Sequence, residues 1–427
     1  MANIAVIGAG YVGLTIGASF AHLGHDVTIA DIDETKVELL KTGTIPFFEI
    51  GLSQLVADNV RNGNLNFVVG ASNASSAAEF HFLCLPTPQN LDGSTDMGYF
   101  NSAIDEIQKV IKPDSILVNK STLPVGTAAK LEDRINRNDI QIVSNPEFLS
   151  EGNAIHDFLQ PSRIVIGAAS AETAARVAEL YADIDAPILI TDTASAELIK
   201  HTSNAFLAMK LTFVNEIATL CELVDADIID VAQGIGYDPR IGSSYLKPGP
   251  GWGGSCFPKD SASLLQTAKN AGFDFGFLEK AITLNQEHLE RTAQKVLDVF
   301  PSLKEFQDGT IAVWGLTFKA GTDDLRSSPS LVVIEHLLDK GASICAYDPM
   351  VHELSPQLDG ITIENDPYAV VEGANALVIL TEWEQFSTLN FEKIKNLMQS
   401  PTIIDARNIL QRSEIESYGF DYVGMGR

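Results

Sequence analysis

The stretch "NIAVIGAGYVGLTIGASFAHLGHDVTIADID" at the start of the chain limits its fold more than any other. Asn3 to Ile7 is a short apolar run with the composition of a buried strand. Tyr11 to Leu23 has helical spacing and stops at Gly24, and Asp26 to Ala30 reads as a second strand closed by Asp31. Together they make a βαβ unit. Gly8, Gly10 and Gly13, with Tyr11 and Val12 between the last two, stand at the turn from strand to helix in G-x-G-x-x-G spacing. The first glycine allows the tight turn, the second lets backbone approach a pyrophosphate, and the third lets the helix pack on the strand. The helix start adds unpaired N–H groups and a positive dipole end. Asp31 follows Gly13 by 18 residues, at the end of the second strand, where a carboxylate would accept the ribose hydroxyls of an adenosine. Asp33 and Glu34 beside it would repel a 2′-phosphate, so the expected cofactor is NAD rather than NADP. Lys36 is close enough to reach that cofactor and fits a solvated helix equally well.

Further apolar runs follow: "LNFVV", "FHFLCL", "SILVNKS", "IQIVSN" and "RIVIGA", with helical stretches such as Tyr99 to Ile111 and Ala171 to Tyr181 among them. This alternation implies a doubly wound parallel sheet over about the first 190 residues. The pattern then changes. Ser195 to Val224 has no Gly or Pro, and its apolar residues recur on more than one face, as expected of a long helix buried on several sides. A shorter helix ending at Gly234 and two more, Pro258 to Ala271 and Leu278 to Phe300, are expected next. From Gly309 onward "TIAVWGL", "SICAYDP", "ALVILTE" and "TIIDARN" read as strands, with helices at Ser328 to Lys340 and Phe391 to Met398, but without a second glycine fingerprint. The fold class is therefore α/β, with two Rossmann-like doubly wound domains joined by a helical centre. The expected divisions are 1–192, 193–303 and 304–427.

A formal net charge of −27 argues against nucleic acid or an anionic membrane as partner. No apolar run is long enough to span a bilayer, and the start has no basic n-region of a signal peptide. Four cysteines without a CxxC pair suggest reduced thiols in the cytoplasm, and no His/Cys spacing suits a metal. Cys84, Cys221 and Cys345 lie within apolar segments and read as packing residues.

Cys256, in "GWGGSCFPKD", does not. Pro258 suits the first turn of a helix and Gly272 its end, which puts the thiol just before a helix N-terminus, where the dipole lowers a thiol pKa. Gly251, Gly253 and Gly254 leave room for a ligand, Lys259 can tune the thiol or face solvent, and Asp260 is near enough to share the site. A nucleophilic cysteine beside an NAD fold suggests oxidation of an aldehyde through a thioester. Lys200 and Asn204, i and i+4 on the long helix, suit an oxyanion. Glu147 and Glu151, in "NPEFLSEG", follow a strand end where ligands bind in such folds.

The segments "GAGYVGL", "STLPVGT", "NPEFLSEGNAIHDFLQPSRIVIG", "ELIKHTSNAFLA", "GYDPRIGSSYLKPGPGWGGSCFPKD" and "GLTFKAGTDDLRSSPS" resemble, in order and spacing, those of the UDP-glucose 6-dehydrogenases of the UDP-glucose/GDP-mannose dehydrogenase family. The resemblance extends over essentially the whole chain. It implies a four-electron oxidation, in which UDP-glucose, two NAD and water give UDP-glucuronate and two NADH. It casts Cys256 as nucleophile, Lys200 and Asn204 as oxyanion stabilisers, Asp260 as a proton handler, and Glu147 as the base for hydrolysis with Thr122 positioning its water. It places Thr87, Pro88, Ser121, Thr122, Glu151 and Arg326 at the cofactor. It places Phe148, Leu149, Arg240, Tyr245, Leu246, Lys247, Gly249, Gly253, Lys319 and Arg407 at the nucleotide-sugar, together with Glu147, Glu151, Lys200 and Asn204. Basic residues converging from separate segments would let an acidic protein hold a diphosphate. The resemblance also implies a homodimer. Trp252 stands where the family usually has Tyr or Phe, which would enlarge the aromatic surface near the substrate. A sister activity on UDP-N-acetylmannosamine is the rival, disfavoured by "GGSC" and "NPEFLSEG".

Overall fold

The computed structural model describes residues 1–90, 92–353 and 358–427. The chain divides into two compact units, Met1–Ser203 with Ala262–Phe273, and Asn204–Ser261 with Asp274–Arg427.

The first unit is built on an eight-stranded sheet: β1 (Asn3–Ile7), β2 (Asp26–Asp31), β3 (Leu65–Val69), β4 (Phe80–Leu83), β5 (Ile116–Asn119), β6 (Gln141–Ser144), β7 (Ile164–Ala168) and β8 (Ile188–Thr191). Their order is β3-β2-β1-β4-β5-β6-β7-β8. The central strands are buried on both faces, which is why they read as unbroken apolar runs rather than alternating ones. One face packs Leu14, Phe20 and Val177 against the sheet, and the other packs Phe100, Ile104 and Leu131. The sheet is not wholly parallel. β6 and β7 pair antiparallel, Val143 opposite Ala168, and β8 then runs parallel to β7. The helices Glu34–Lys41 and Leu52–Asn62 and the strand β8, an Ile-Leu-Ile-Thr run, add to the elements expected from the sequence.

The second unit repeats the plan with six strands: β9 (Thr310–Trp314), β10 (Ser343–Tyr347), β11 (Ile361–Ile363), β12 (Ala376–Ile379), β13 (Thr402–Asp405) and β14 (Asp421–Gly424). The order β11-β10-β9-β12-β13-β14 reproduces the first six strands of the other sheet. All its pairings are parallel. The two sheets differ at the acid that ends the second strand of each. Asp348 is fully buried and accepts the N–H groups of Leu316 and Thr317 at 2.8 and 3.1 Å. Its carboxylate is taken up by the loop after β9 and by the Trp383 indole N–H at 3.2 Å.

The long helix runs Thr193–Leu223. It is buried on several sides but not on all of them. Ala196, Lys200, Asn204, Ala208 and Ala218 are buried, as are His201, Ala205, Thr212 and Val214 on neighbouring faces, and Phe206, Phe213 and Leu220 form one exposed stripe. The next helix, Ile228–Gly236, runs past Gly234, because Asp227 caps its start and a glycine inside a helix costs only about 1 kcal/mol.

Candidate active site

The glycine turn links β1 to the helix Tyr11–His22. A Cβ on Gly13 would lie 1.9 Å from the Gly8 carbonyl oxygen, so the helix can cross the strand end this closely only without a side chain there. Gly10, by contrast, faces open space, the side from which a pyrophosphate would meet the backbone. Asp31 accepts the Ala9 N–H at 2.9 Å and the Asp33 N–H at 3.0 Å. Lys36 lies 3.2 Å from the Asp31 carboxylate. Burial pushes the Asp31 carboxyl up, but these amides and the Lys36 ammonium outweigh it and hold it below its ordinary value. The open backbone and the half-buried acid fit a dinucleotide. The Tyr11 hydroxyl turns away to hydrogen-bond Glu49, a buried acid that also accepts the N–H groups of Gly152 and Ala154. Ser121 bonds to β4 and the loop beyond it: its hydroxyl donates to the Leu83 carbonyl at 3.1 Å and accepts the Leu85 N–H at 2.7 Å. Thr87 is buried, Val12, Thr122 and Glu151 are half-buried, and Pro88 is exposed.

Glu147 follows β6 in the same unit and is 8 % exposed. Its carboxylate takes the Lys200 ammonium at 2.8 Å on one oxygen and the Leu149 N–H at 2.6 Å on the other. The Phe148 ring lies under both the Arg163 guanidinium, at 3.7 Å, and the Lys200 ammonium, at 5.6 Å. Sequence reasoning missed what lies behind them. Lys120, Asn145 and Tyr181 form a buried network, signalled only by a charged residue at the end of an apolar strand.

In the second unit Cys256 precedes the helix Phe257–Asn270 directly and is exposed, unlike Cys84 and Cys221. Its carbonyl accepts the Asp260 N–H at 2.9 Å, and the Ser255 hydroxyl lies 3.5 Å from its sulfur. Asp260 is wholly buried, with one carboxylate oxygen 2.6 Å from the Asn204 amide and the other 2.7 Å from the Lys259 ammonium. Lys259 is thus turned to Asp260. Gly253 has the Ser327 carbonyl oxygen 2.0 Å from where its Cβ would be, so the segment after β9 lies directly on the thiol loop. Trp252 is corrected: it points inward, 6 % exposed, with its indole N–H on Thr212 at 2.8 Å and its backbone locked to Asn285.

Arg407, expected at the nucleotide-sugar, is brought onto the loop. Its guanidinium lies against Gly249, and it donates to the carbonyls of Leu380 at 2.8 Å and Phe318 at 3.2 Å. Leu246 is buried, Tyr245 and Lys247 are exposed, and Lys319 lies beside the Phe318 ring. Arg240 and Arg326 are exposed, in ion pairs with Asp238 at 2.6 Å and Asp324 at 2.7 Å.

Comparison with known proteins agrees along the chain. Residues 2–185, 194–287 and 312–412 match the NAD binding, central and UDP binding domains of the UDP-glucose/GDP-mannose dehydrogenase family. The chain is 44 % identical to a UDP-glucose 6-dehydrogenase of Rhizobium meliloti, covering 100 % of this chain and 99 % of the relative. It is 42 % identical to the UDP-glucose 6-dehydrogenase TuaD of Bacillus subtilis, covering 100 % and 94 %. Among solved structures, a UDP-glucose dehydrogenase from Pyrobaculum islandicum superposes with a TM-score of 0.90 at 33 % identity, covering 100 % of this chain and 98 % of that one. A UDP-D-ManNAc dehydrogenase from Pyrococcus horikoshii gives 0.88 at 28 % identity, covering 99 % of both. With its glycine turn, its paired sheets and its thiol loop, the chain belongs to the UDP-glucose/GDP-mannose dehydrogenase family.

Proposed function

We propose that this protein oxidises UDP-glucose at C6 to UDP-glucuronate, consuming two NAD and one water. The observation that carries the reading is the exposed Cys256 at a helix start, one turn from a buried Asp260 clamped by Asn204 and Lys259. The relatives named UDP-glucose 6-dehydrogenase support the substrate.

Bound at the glycine turn and Asp31, NAD supplies the hydride acceptor for each of the two oxidations. Gly8, Gly10, Tyr11, Val12 and Gly13 form that turn, with Lys36, Thr87, Pro88, Ser121, Thr122, Glu151 and Arg326 as further contacts in this reading. The Cys256 thiolate adds to the C6 aldehyde, and the oxyanion formed is met by Lys200 and Asn204. Asp260 is fixed on both oxygens, so it handles a proton without rotating away. Once the second oxidation has left a thioester on Cys256, Glu147 takes a proton from water, which attacks the carbonyl and expels the thiolate. Thr122 orients that water. Arg240, Tyr245, Leu246, Lys247, Gly249, Gly253, Lys319 and Arg407, with Phe148 and Leu149, hold the nucleotide-sugar. The divisions 1–192, 193–303 and 304–427 are read as cofactor, central and UDP-sugar parts.

Phe206, Phe213 and Leu220 lie seven residues apart and are 57, 54 and 50 % exposed, so they form an apolar stripe suited to a second copy, and we read the protein as a homodimer. The four cysteines are free thiols, which supports a cytoplasmic setting. No described helix is long and apolar enough to cross a membrane.

The test is stoichiometry. Two NADH are expected per UDP-glucuronate, with no free aldehyde, and Cys256→Ser is expected to lose steady-state turnover. A one-to-one ratio would exclude the thioester route. Turnover of UDP-N-acetylmannosamine with none of UDP-glucose would overturn the substrate.

A further inference from the structure

Lys120 follows β5 and has no part in the chemistry above. It is 5 % exposed, and its ammonium donates to the Asn145 side-chain oxygen at 2.9 Å and approaches the Tyr181 hydroxyl at 3.3 Å. Neither partner is a carboxylate. Asn145 is itself fixed, accepting the Tyr181 hydroxyl at 2.6 Å and donating to the Val165 carbonyl at 2.7 Å. A cation buried on neutral partners is poorly solvated, and such an environment favours the uncharged amine.

The network borders a cavity of about 200 Å³ whose lining includes Lys120, Asn145, Tyr181 and Glu147. Gln160 and Ser162, also in the lining, are exposed, so the cavity reaches the surface. At about 30 Å³ per molecule it has room for several waters, and its polar walls suit them. Asp157 and Arg163 are the other charged groups of the lining.

We propose that Lys120 is the proton store for Glu147: its neutral amine, reached through water in the shared cavity, takes up the proton that Glu147 removes from the hydrolytic water. This rests on Glu147 being the base for thioester hydrolysis. Glu147, protonated in that step, gives its proton to a cavity water. That water passes one of its protons to the Lys120 nitrogen lone pair, so carboxylate and ammonium are formed together. The ammonium then loses that proton through the cavity to solvent, one per thioester hydrolysed; the second proton of the hydrolysis leaves when the carboxylic acid product ionises. No other reactant is needed.

Electrostatics support the geometry. Burial pulls the Lys120 ammonium from 10.5 down to about 8. The Glu147 carboxylate acts to raise it and the Lys200 ammonium to lower it. Burial pushes the Cys84 thiol up to about 12 and the Tyr181 hydroxyl well above its ordinary value, so both stay neutral while Lys120 titrates.

The experiment follows thioester hydrolysis on the whole enzyme against pH, from about 6.5 to about 9.5, in wild type, Lys120→Met, Lys120→Arg and Glu147→Gln. Wild type is expected to rise through an inflection near pH 8. Lys120→Met is expected to lose at least about tenfold in kcat and to lose the inflection, with KM for UDP-glucose held and thioester accumulating. Added methylamine is expected to restore its rate. Lys120→Arg, which keeps the charge but cannot accept a proton, is expected to stay impaired. Full activity in Lys120→Arg or an unchanged profile in Lys120→Met overturns the proposal. If Lys120→Met does not fold, Tyr181→Phe decides: losing the hydroxyl partner should move the inflection to lower pH, and an unmoved inflection counts against the store. A Glu147→Gln enzyme that hydrolyses thioester normally refutes the base, whereas a defective Glu147→Gln beside a normal Lys120→Met refutes only the store.

Discussion

Asp31 shows how much one side chain holds. It fixes the glycine turn through the Ala9 N–H and keeps its charge against burial by the Asp33 N–H and the Lys36 ammonium. Asp31→Ala should therefore weaken NAD binding by at least about tenfold, or about 1.4 kcal/mol, and leave UDP-glucose binding nearly unchanged. Separate titrations of the two ligands check this, and equal losses for both would point to unfolding instead. Asp31 was legible because the fingerprint sets its distance from Gly13. The Glu49 link to Tyr11 was not, because it joins residues 38 apart in sequence through a loop with no motif of its own.

At the scale of an element, β4 carries an anomaly. His81 lies in the middle of the first sheet, wholly buried, and neither ring nitrogen has a hydrogen-bond partner. Burial, with Lys112 nearby, lowers it from 6.5 to about 4. An unfolded chain protonates this histidine as pH falls through 6.5, but the folded one only near 4. Its neutral form thus contributes stability above pH 6.5 that is lost as pH falls toward 4. Between pH 7 and pH 5 the loss should be about 2 kcal/mol. Urea unfolding at both pH values should show His81→Leu losing less than wild type over that range. An identical loss would mean that other groups set the acid sensitivity. The strand itself was evident as an apolar run. The helix Glu34–Lys41 was not, since it buries only Val37 and Leu40 among charged residues, and β8 was passed over although it is an apolar Ile-Leu-Ile-Thr run.

The whole molecule turns on the helix Thr193–Leu223. Its sequence has apolar residues on several faces, and a single chain leaves the one with Phe206, Phe213 and Leu220 exposed. Replacing Phe213 by Glu should split the proposed homodimer into monomers that stay folded, as read by sedimentation velocity and circular dichroism. A wild type that is itself monomeric would remove the case for the stripe. The chain end is tied down inside the second unit, where Gly426 donates to Glu222 at 2.6 Å and Arg427 pairs with Asp227 at 3.0 Å.

The sequence alone was enough for the fold class, the cofactor turn and the thiol loop, because each is written in contiguous residues: apolar runs of strand length, glycines at set spacing, a cysteine before a helix start. Tertiary structure decided what depends on distant residues meeting. It set the antiparallel step between β6 and β7, turned Trp252 inward and placed Asn204 on Asp260. It also buried Lys120 among Asn145 and Tyr181, 25 and 61 residues away. Strand direction, burial and the pairing of charges are set by packing, and a local pattern carries no record of which remote side chain completes it.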